Sequence, residues 1–231
     1  MTRLLGFGAK IARTTQEASK WTERSVVVDL FRFSTTLCAL LKTGRKDIRV
    51  FSSPRYALSI KNLEKNAELF SEMDLGPGVK KRDNSPYEAL LESDPSKAAL
   101  IVTCSGARAV ISLGKSKQIL SGCLANLPYL TAYLSAYPMD TLIVPACIYY
   151  DAGHIEDVIC AEAVIDRLNG VDSFVGALGK IHDSGRPLDF LAFRPQTGKR
   201  DLEIILKQGT MKVVPEMRIK GLYAEAKNVW R

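Results

Sequence analysis

Three consecutive valines, Val26-Val27-Val28, run directly into Asp29-Leu30-Phe31-Arg32-Phe33-Ser34-Thr35-Thr36, and this junction limits the folds open to the chain. A short β-branched run bounded by polar residues suits a central parallel strand buried on both faces. Ser34 is a good helix N-cap, and Leu37, Leu40 and Leu41 follow at helical spacing up to a Gly44 stop. In open α/β sheets, ligands bind at the carboxyl ends of the strands, where this junction would lie. Asp29 is suited to holding a hydrated cation and Arg32 to clamping an oxyanion, and the amides of 34–36 could receive a phosphate at the helix start. The plainer alternative is a buried Asp paired to an Arg behind an ordinary Ser cap.

The same alternation continues along the chain. The pattern predicts strands at 25–29, 48–51, 99–103, 119–124 and 141–147, separated by helices at 35–43, 54–68, 107–113, 127–136 and 155–168. Ser53-Pro54 supplies a cap and an N1 proline for the second helix, Asn126 a cap for the fourth, and Asn169-Gly170 a stop for the fifth. The fold expected is α/β: a mostly parallel sheet with helices on both faces, three-layered and Rossmann-like, in one domain over residues 1–231. Two regions break the rhythm. Residues 69–86 form a long connection rich in Gly, Pro and charge, and 171–231 form a helix-rich subregion with a late strand around 211–215.

Composition narrows the functional classes. No apolar run approaches the roughly 18–20 residues of a membrane span, and Arg3 to Lys10 around Leu4-Leu5-Gly6-Phe7 is too weakly apolar for a signal peptide. Five scattered cysteines in apolar runs predict reduced core thiols in a cytoplasmic protein, and two histidines exclude an all-histidine metal site. The net charge of +7 is dispersed apart from Lys80-Lys81-Arg82 and Lys199-Arg200, so small anionic substrates account for it as well as nucleic acid does. An exposed apolar face on a terminal helix would favour a homodimer.

The other expected strand tips supply further polar groups. Thr103-Cys104-Ser105-Gly106-Ala107-Arg108 offers a small turn opening a helix, with backbone donors for a phosphate and a charge from Arg108; an ordinary strand-to-helix turn is the alternative. Cys104 is read as passive, because Arg108 follows after only three residues where a cysteine phosphatase needs five. Phe31 stands where an aspartate-nucleophile phosphatase needs a second Asp, and no Walker or GxGxxG loop is present. The long loop brings Glu72, Asp74, Asp83, Asn84 and Ser85, and as a lid it would carry Glu72 towards Asp29. Glu156 and Asp157 open the helix at 155–168, where acids suit either the helix dipole or Mg²⁺.

Taken in order, these segments resemble the 2-phosphosulfolactate phosphatase family, the ComB-like proteins. The matching pieces are Asp29 to Thr36, Asn84-Ser85-Pro86, Thr103 to Ala109, Leu124-Ala125-Asn126, Glu156-Asp157 and Val213-Val214-Pro215. The resemblance implies an α/β fold, Mg²⁺ dependence and hydrolysis of a phosphate monoester on a sulfonated three-carbon acid, within coenzyme M biosynthesis. It makes Asp29, Glu72, Glu156 and Asp157 the metal-binding acids, with Asp29, Arg32, Glu72 and Asp157 as the catalytic set. Ser34, Thr35, Thr36, Asn84, Ser85, Ser105, Gly106, Arg108 and Asn126 would bind the substrate. The chain departs from the family pattern at Met73, usually Arg, and at Asp83 and Glu162, both usually Gly. Cys104-Ser105-Gly106-Ala107 replaces Thr-Asn-Gly-Thr, with loss of an amide and a hydroxyl. A divergent protein that binds an anionic metabolite without hydrolysing it is the alternative those departures raise.

Overall fold

A computed structural model describes residues 7–231, so the reading of Arg3 to Gly6 lies outside the described residues. After β1 (Ala9–Ile11) and α1 (Thr15–Lys20) come β2 (Arg24–Val28) and α2 (Phe33–Lys42). Next are β3 (Ile48–Phe51), α3 (Pro54–Leu63), β4 (Glu68–Phe70), α4 (Pro86–Leu91), β5 (Ala99–Val102) and α5 (Gly106–Ser112). The chain continues through β6 (Gln118–Gly122), α6 (Leu127–Ala136), β7 (Thr141–Pro145) and α7 (Ile155–Leu168). It ends with α8 (Phe174–Asp183), α9 (Arg186–Phe193), α10 (Gly198–Ile205) and the hairpin β8 (Pro215–Lys220) and β9 (Tyr223–Asn228).

The strands form one sheet in the order β1-β7-β2-β6-β8-β9-β3-β5-β4. Five of its ladders are parallel, in the blocks β1-β7-β2-β6 and β3-β5-β4, and the C-terminal hairpin joins the blocks through three antiparallel ladders. This is the expected α/β class of mostly parallel sheet with helices. The antiparallel insert differs from expectation because its buried positions, Ala224 and Ala226, are too small to give a strong period-two signal.

The main core takes Val26, Val27 and Val28 from the first block and Val50, Phe70 and Ile101 from the second. The opposite face of the second block, with Phe51, Leu69, Leu100 and Val102, packs with Ala57 of α3. Helix α2 is buried from Phe33 through Leu41, including Ser34, Thr35 and Thr36. A helix enclosed all round belongs to the interior, not to a covering layer.

Three local expectations are corrected. The helix expected over 54–68 stops at Leu63, and Glu68-Leu69-Phe70 becomes an edge strand, because Leu69 and Phe70 enter cores on opposite faces. The strand expected around 211–215 begins at Pro215, a residue suited to the first position of a strand because it donates no ladder bond. Ser34 lies inside α2 instead of capping it; its hydroxyl turns back to β2, accepting from the Asp29 amide at 3.0 Å and donating to the Val27 carbonyl at 3.3 Å. By contrast, Ser53 caps α3 ahead of Pro54 as expected, accepting from the Tyr56 amide at 3.3 Å.

Gly106 shows how closely α5 approaches α2. A Cβ at that position would lie 2.4 Å from Phe33 Cδ1 and 2.7 Å from Phe33 Cβ, so the ring itself blocks it. Gly106→Ala is therefore expected to destabilise the protein by about 1–3 kcal/mol, as overpacked cores do. Urea unfolding should show the lower midpoint with an unchanged slope.

Candidate active site

The tips of β2 and β5 meet through Asp29. Its carboxylate accepts from the Phe33 amide at 3.1 Å and from the Ser105 hydroxyl at 2.7 Å. Its backbone carbonyl accepts from the Ser34 amide at 2.9 Å, and Arg32 O accepts from the Thr36 amide at 2.9 Å. The first turn of α2 is thus closed by its own loop, and the amides of Ser34 and Thr36 do not face a ligand. The loop also contains a cis peptide bond, Phe31–Arg32.

Asp29, Arg32, Glu72, Asn84 and Ser105 border one cavity of about 390 Å³. Glu72 Oε1 accepts from the Cys104 amide at 2.8 Å, whereas Glu72 Oε2 and Asn84 Oδ1 are buried oxygens without a hydrogen-bond partner. Burial raises the Asp29 pKa to about 6; the Ser105 hydroxyl opposes the rise and the nearby Glu72 charge adds to it. Burial, with the Glu72 charge next, pushes the Cys104 thiol up to about 11, which keeps it protonated and supports its reading as passive. A larger groove of about 870 Å³ beside β1 holds one carboxylate, Glu17, already paired with Lys10 at 2.7 Å.

Other expected site residues are brought near the cavity but are occupied. Asp157 accepts from the Leu30 amide at 2.8 Å through one oxygen and from the Cys147 amide at 2.9 Å through the other. Burial, with Asp29 and Glu156 nearby, raises its pKa well above the carboxylate range. Glu156 is held bidentately by Arg186, at 2.7 and 3.0 Å. Among the described residues, no three His, Cys, Asp or Glu side chains group as metal ligands, so the expected carboxylate quartet does not converge. Asp29 and Glu72 line the cavity, and the buried Glu156 and Asp157 lie near enough to Asp29 to raise its pKa or have theirs raised by it.

Arg32 is 2 % exposed and donates to Asp201 and, at 2.7 Å, to Asp83. Its guanidinium lies 5.2 Å from the Phe190 ring centre. Asp201 also accepts from the Ser85 hydroxyl at 2.6 Å and the Tyr87 amide at 3.2 Å, so Ser85 serves this network and caps α4. Thr35 donates to the Leu30 carbonyl at 3.2 Å; Thr36 is buried in α2. Arg108 is exposed on α5 and does not line the cavity. Asn126 is held structurally, donating to the Val213 carbonyl at 3.1 Å and accepting from the Cys123 amide at 2.9 Å.

The residues absent from the sequence reading come from α9 and α10. Arg186, Phe190, Phe193 and Arg194 line the cavity, as do Tyr150, Asp151 and His154. Asp201 had a legible signal: with Gly198 and Ile205 it occupies the buried stripe of α10, where an acid needs a partner.

Comparison with known proteins matches residues 10–220 to the model of the 2-phosphosulpholactate phosphatase family. The chain belongs to this family of phosphoric monoester hydrolases. Among its relatives is a protein named "Probable 2-phosphosulfolactate phosphatase" from Thermoplasma acidophilum, 27% identical over an alignment of 213 positions that covers 87% of this chain and 89% of that protein. One of the same name from Synechococcus sp. is 25% identical over an alignment of 229 positions that covers 87% of this chain and 91% of that relative. A third, from Caldanaerobacter subterraneus, is 26% identical over 152 residues, and the match spans 64% of this chain and only 63% of that relative's length.

The departures from the family pattern find separate places. Met73 packs with the apolar cluster of Phe51, Leu69 and Val102, and Glu162 pairs with Lys180 at 3.1 Å away from the cavity. Asp83 is the partner of Arg32, Ser105 the partner of Asp29, and Ala107 is buried without lining the cavity.

Arg32→Met would leave Asp201 buried without its counter-charge. A loss of about 3–5 kcal/mol is expected, read as a lower urea midpoint, and Arg32→Lys should recover part of it. Asp29 binds its proton more tightly in the folded protein, since about 6 lies above the ordinary 3.8. Its contribution to stability is therefore present below pH 3.8 and is lost as pH rises through 6. In metal-free protein, Asp29→Asn should remove up to about 1.4 kcal/mol per pH unit from the stability slope between those values. An unchanged slope would assign the titration to another group.

Proposed function

We propose that this protein is a Mg²⁺-dependent phosphatase that hydrolyses a small phosphorylated acid, 2-phosphosulfolactate, to sulfolactate and phosphate in the cytoplasm. Family membership supports the reaction class. The observation that carries the site assignment is the pair of buried, unpartnered oxygens, Glu72 Oε2 and Asn84 Oδ1, beside Asp29 in one cavity. Oxygen donors in an acid-rich pocket suit a hard cation that takes one or two carboxylates and leaves its other positions to water and substrate. Glu72 and Asn84 would hold Mg²⁺, with Asp29 at its side; the bound ion would polarise the phosphoryl oxygens and neutralise charge that develops on them. Glu156 and Asp157 support the floor through Arg186 and the Leu30 and Cys147 amides instead of binding the ion directly.

Asp29 then takes the proton of the attacking water. Asp29 is ionised at neutral pH and lies where a carboxylate can accept a proton as the water attacks. The Ser105 hydroxyl and Phe33 amide fix its orientation. As the new P–O bond forms, the ester P–O bond breaks, the leaving alkoxide takes a proton from solvent water, and Asp29 releases the one it accepted to solvent.

Asp29→Asn is expected to lower phosphate release at least 100-fold while leaving the circular dichroism spectrum unchanged. Chelation should abolish turnover, and added Mg²⁺ should restore it. Glu72→Gln should raise the Mg²⁺ concentration for half-maximal activity about tenfold or more. Full activity in chelator would overturn the Mg²⁺ dependence, and saturable binding of 2-phosphosulfolactate with no phosphate release would instead favour the non-hydrolytic reading.

A further inference from the structure

We propose that Arg194 binds the non-transferred anionic end of the substrate and so selects phosphate esters that carry a second acid group. The inference rests on the phosphatase reading above, because it assigns a further group of the same cavity.

The cavity presents three guanidinium groups, and two are already neutralised. Arg32 is enclosed by Asp83 and Asp201, and Arg186 is held bidentately by Glu156. Arg194 differs. Its nearest carboxylate oxygen, on Asp83, lies 4.0 Å from Nε, and that carboxylate is already bonded to Arg32 at 2.7 Å. Nη1 donates to the Phe193 carbonyl at 3.1 Å, and the side chain is 32% exposed. Among the described residues lining the cavity, it is the guanidinium with donors left for a ligand. An arginine fork matches a carboxylate or sulfonate, both of which present paired oxygens.

Polarity fixes which end it serves. The carboxylates of Asp29 and Glu72 repel an anion unless a cation lies between them, so the phosphoryl group belongs on their side with the metal. The remaining acid group is then left for Arg194, which follows α9 and lines the cavity together with Phe190 and Phe193. A monoester without a second acid group gains nothing from that arginine.

The test compares wild-type, Arg194→Ala and Arg194→Lys proteins on three Mg²⁺-supplemented substrates: 2-phosphosulfolactate, 2-phosphoglycolate and phenyl phosphate. Arg194→Ala should raise KM for 2-phosphosulfolactate roughly 10- to 100-fold, the range expected for a lost charge-assisted hydrogen bond. kcat should change less than threefold, KM for phenyl phosphate should hold within twofold, and Arg194→Lys should fall between. A rise shared by 2-phosphoglycolate identifies the carboxylate as the ligand; a rise confined to 2-phosphosulfolactate identifies the sulfonate. Arg200→Ala, which alters an exposed arginine on α10, should change none of these values. Equal effects on all three substrates, or none, would overturn the inference while leaving the phosphatase reading intact. If wild type hydrolyses none of them, calorimetry with 2-phosphosulfolactate decides separately: binding weakened tenfold or more in Arg194→Ala keeps the inference without the reaction, and absent binding defeats both.

Discussion

A guanidinium withdrawn from water must be matched charge for charge, and Arg32 meets that demand by drawing three distant segments onto one point. Asp83 comes from the connection after β4, Asp201 from α10, and Arg32 from the turn after β2. Ser85 and the Tyr87 amide close the remaining acceptor sites of Asp201. Breaking such a set costs more than its formation contributes, because each survivor is left charged in a poor solvent. The network therefore acts as a constraint on arrangement: wherever Arg32 sits, α10 and the loop must follow. Helix α9, which precedes α10 in the chain and packs Phe190 over Arg32, is carried along and becomes a wall of the cavity.

Asp29 works under a related constraint. It closes the first turn of α2 through the Phe33 amide and its own carbonyl, and the same carboxylate faces the cavity beside Glu72. A residue that only capped would be better served by solvent, and a residue that only reacted would be free to rotate. Burial raises its pKa, and the Phe33 and Ser105 donors keep the rise moderate. The helix holds the acid in place, and the acid completes the helix. This is why Ser34, a residue type suited to capping, is displaced into the first turn, where its hydroxyl bonds back to β2.

The inner strands of the parallel blocks were legible because they are buried on both faces and read as continuous apolar runs between strong caps, as at Val26-Val27-Val28 and Ser53-Pro54, whereas the half-exposed edge strand β1 was not. The hairpin and β4 were not, since Ala224 and Ala226 carry little hydrophobic signal and three residues of β4 cannot display a period. At the site, the acids at strand tips were legible in kind, because apolar strands ending in carboxylates place them at one edge of the sheet. Their division of labour was not. Whether Asp157 faces a ligand or two backbone amides depends on the path of the turn at Cys147, and whether Arg32 is available depends on Asp201, 169 residues away.

That long-range dependence also explains the charge pattern of the cavity. An acidic floor beside a basic wall is costly when dry, because unlike charges held apart do not neutralise one another and like charges on the floor repel. Here the wall is made partly self-compensating: Arg186 leans onto Glu156, and Arg32 is sealed behind Phe190 by Asp83 and Asp201. What remains uncompensated is small: the oxygens Glu72 Oε2 and Asn84 Oδ1, without donors, and the unfilled donors of Arg194. A ligand that brings a cation to the first and an oxyanion to the second relieves both at once. A substrate with a phosphate at one end and an acid at the other offers a group to each, the cation-bound phosphate to the unpartnered oxygens and the acid to the guanidinium.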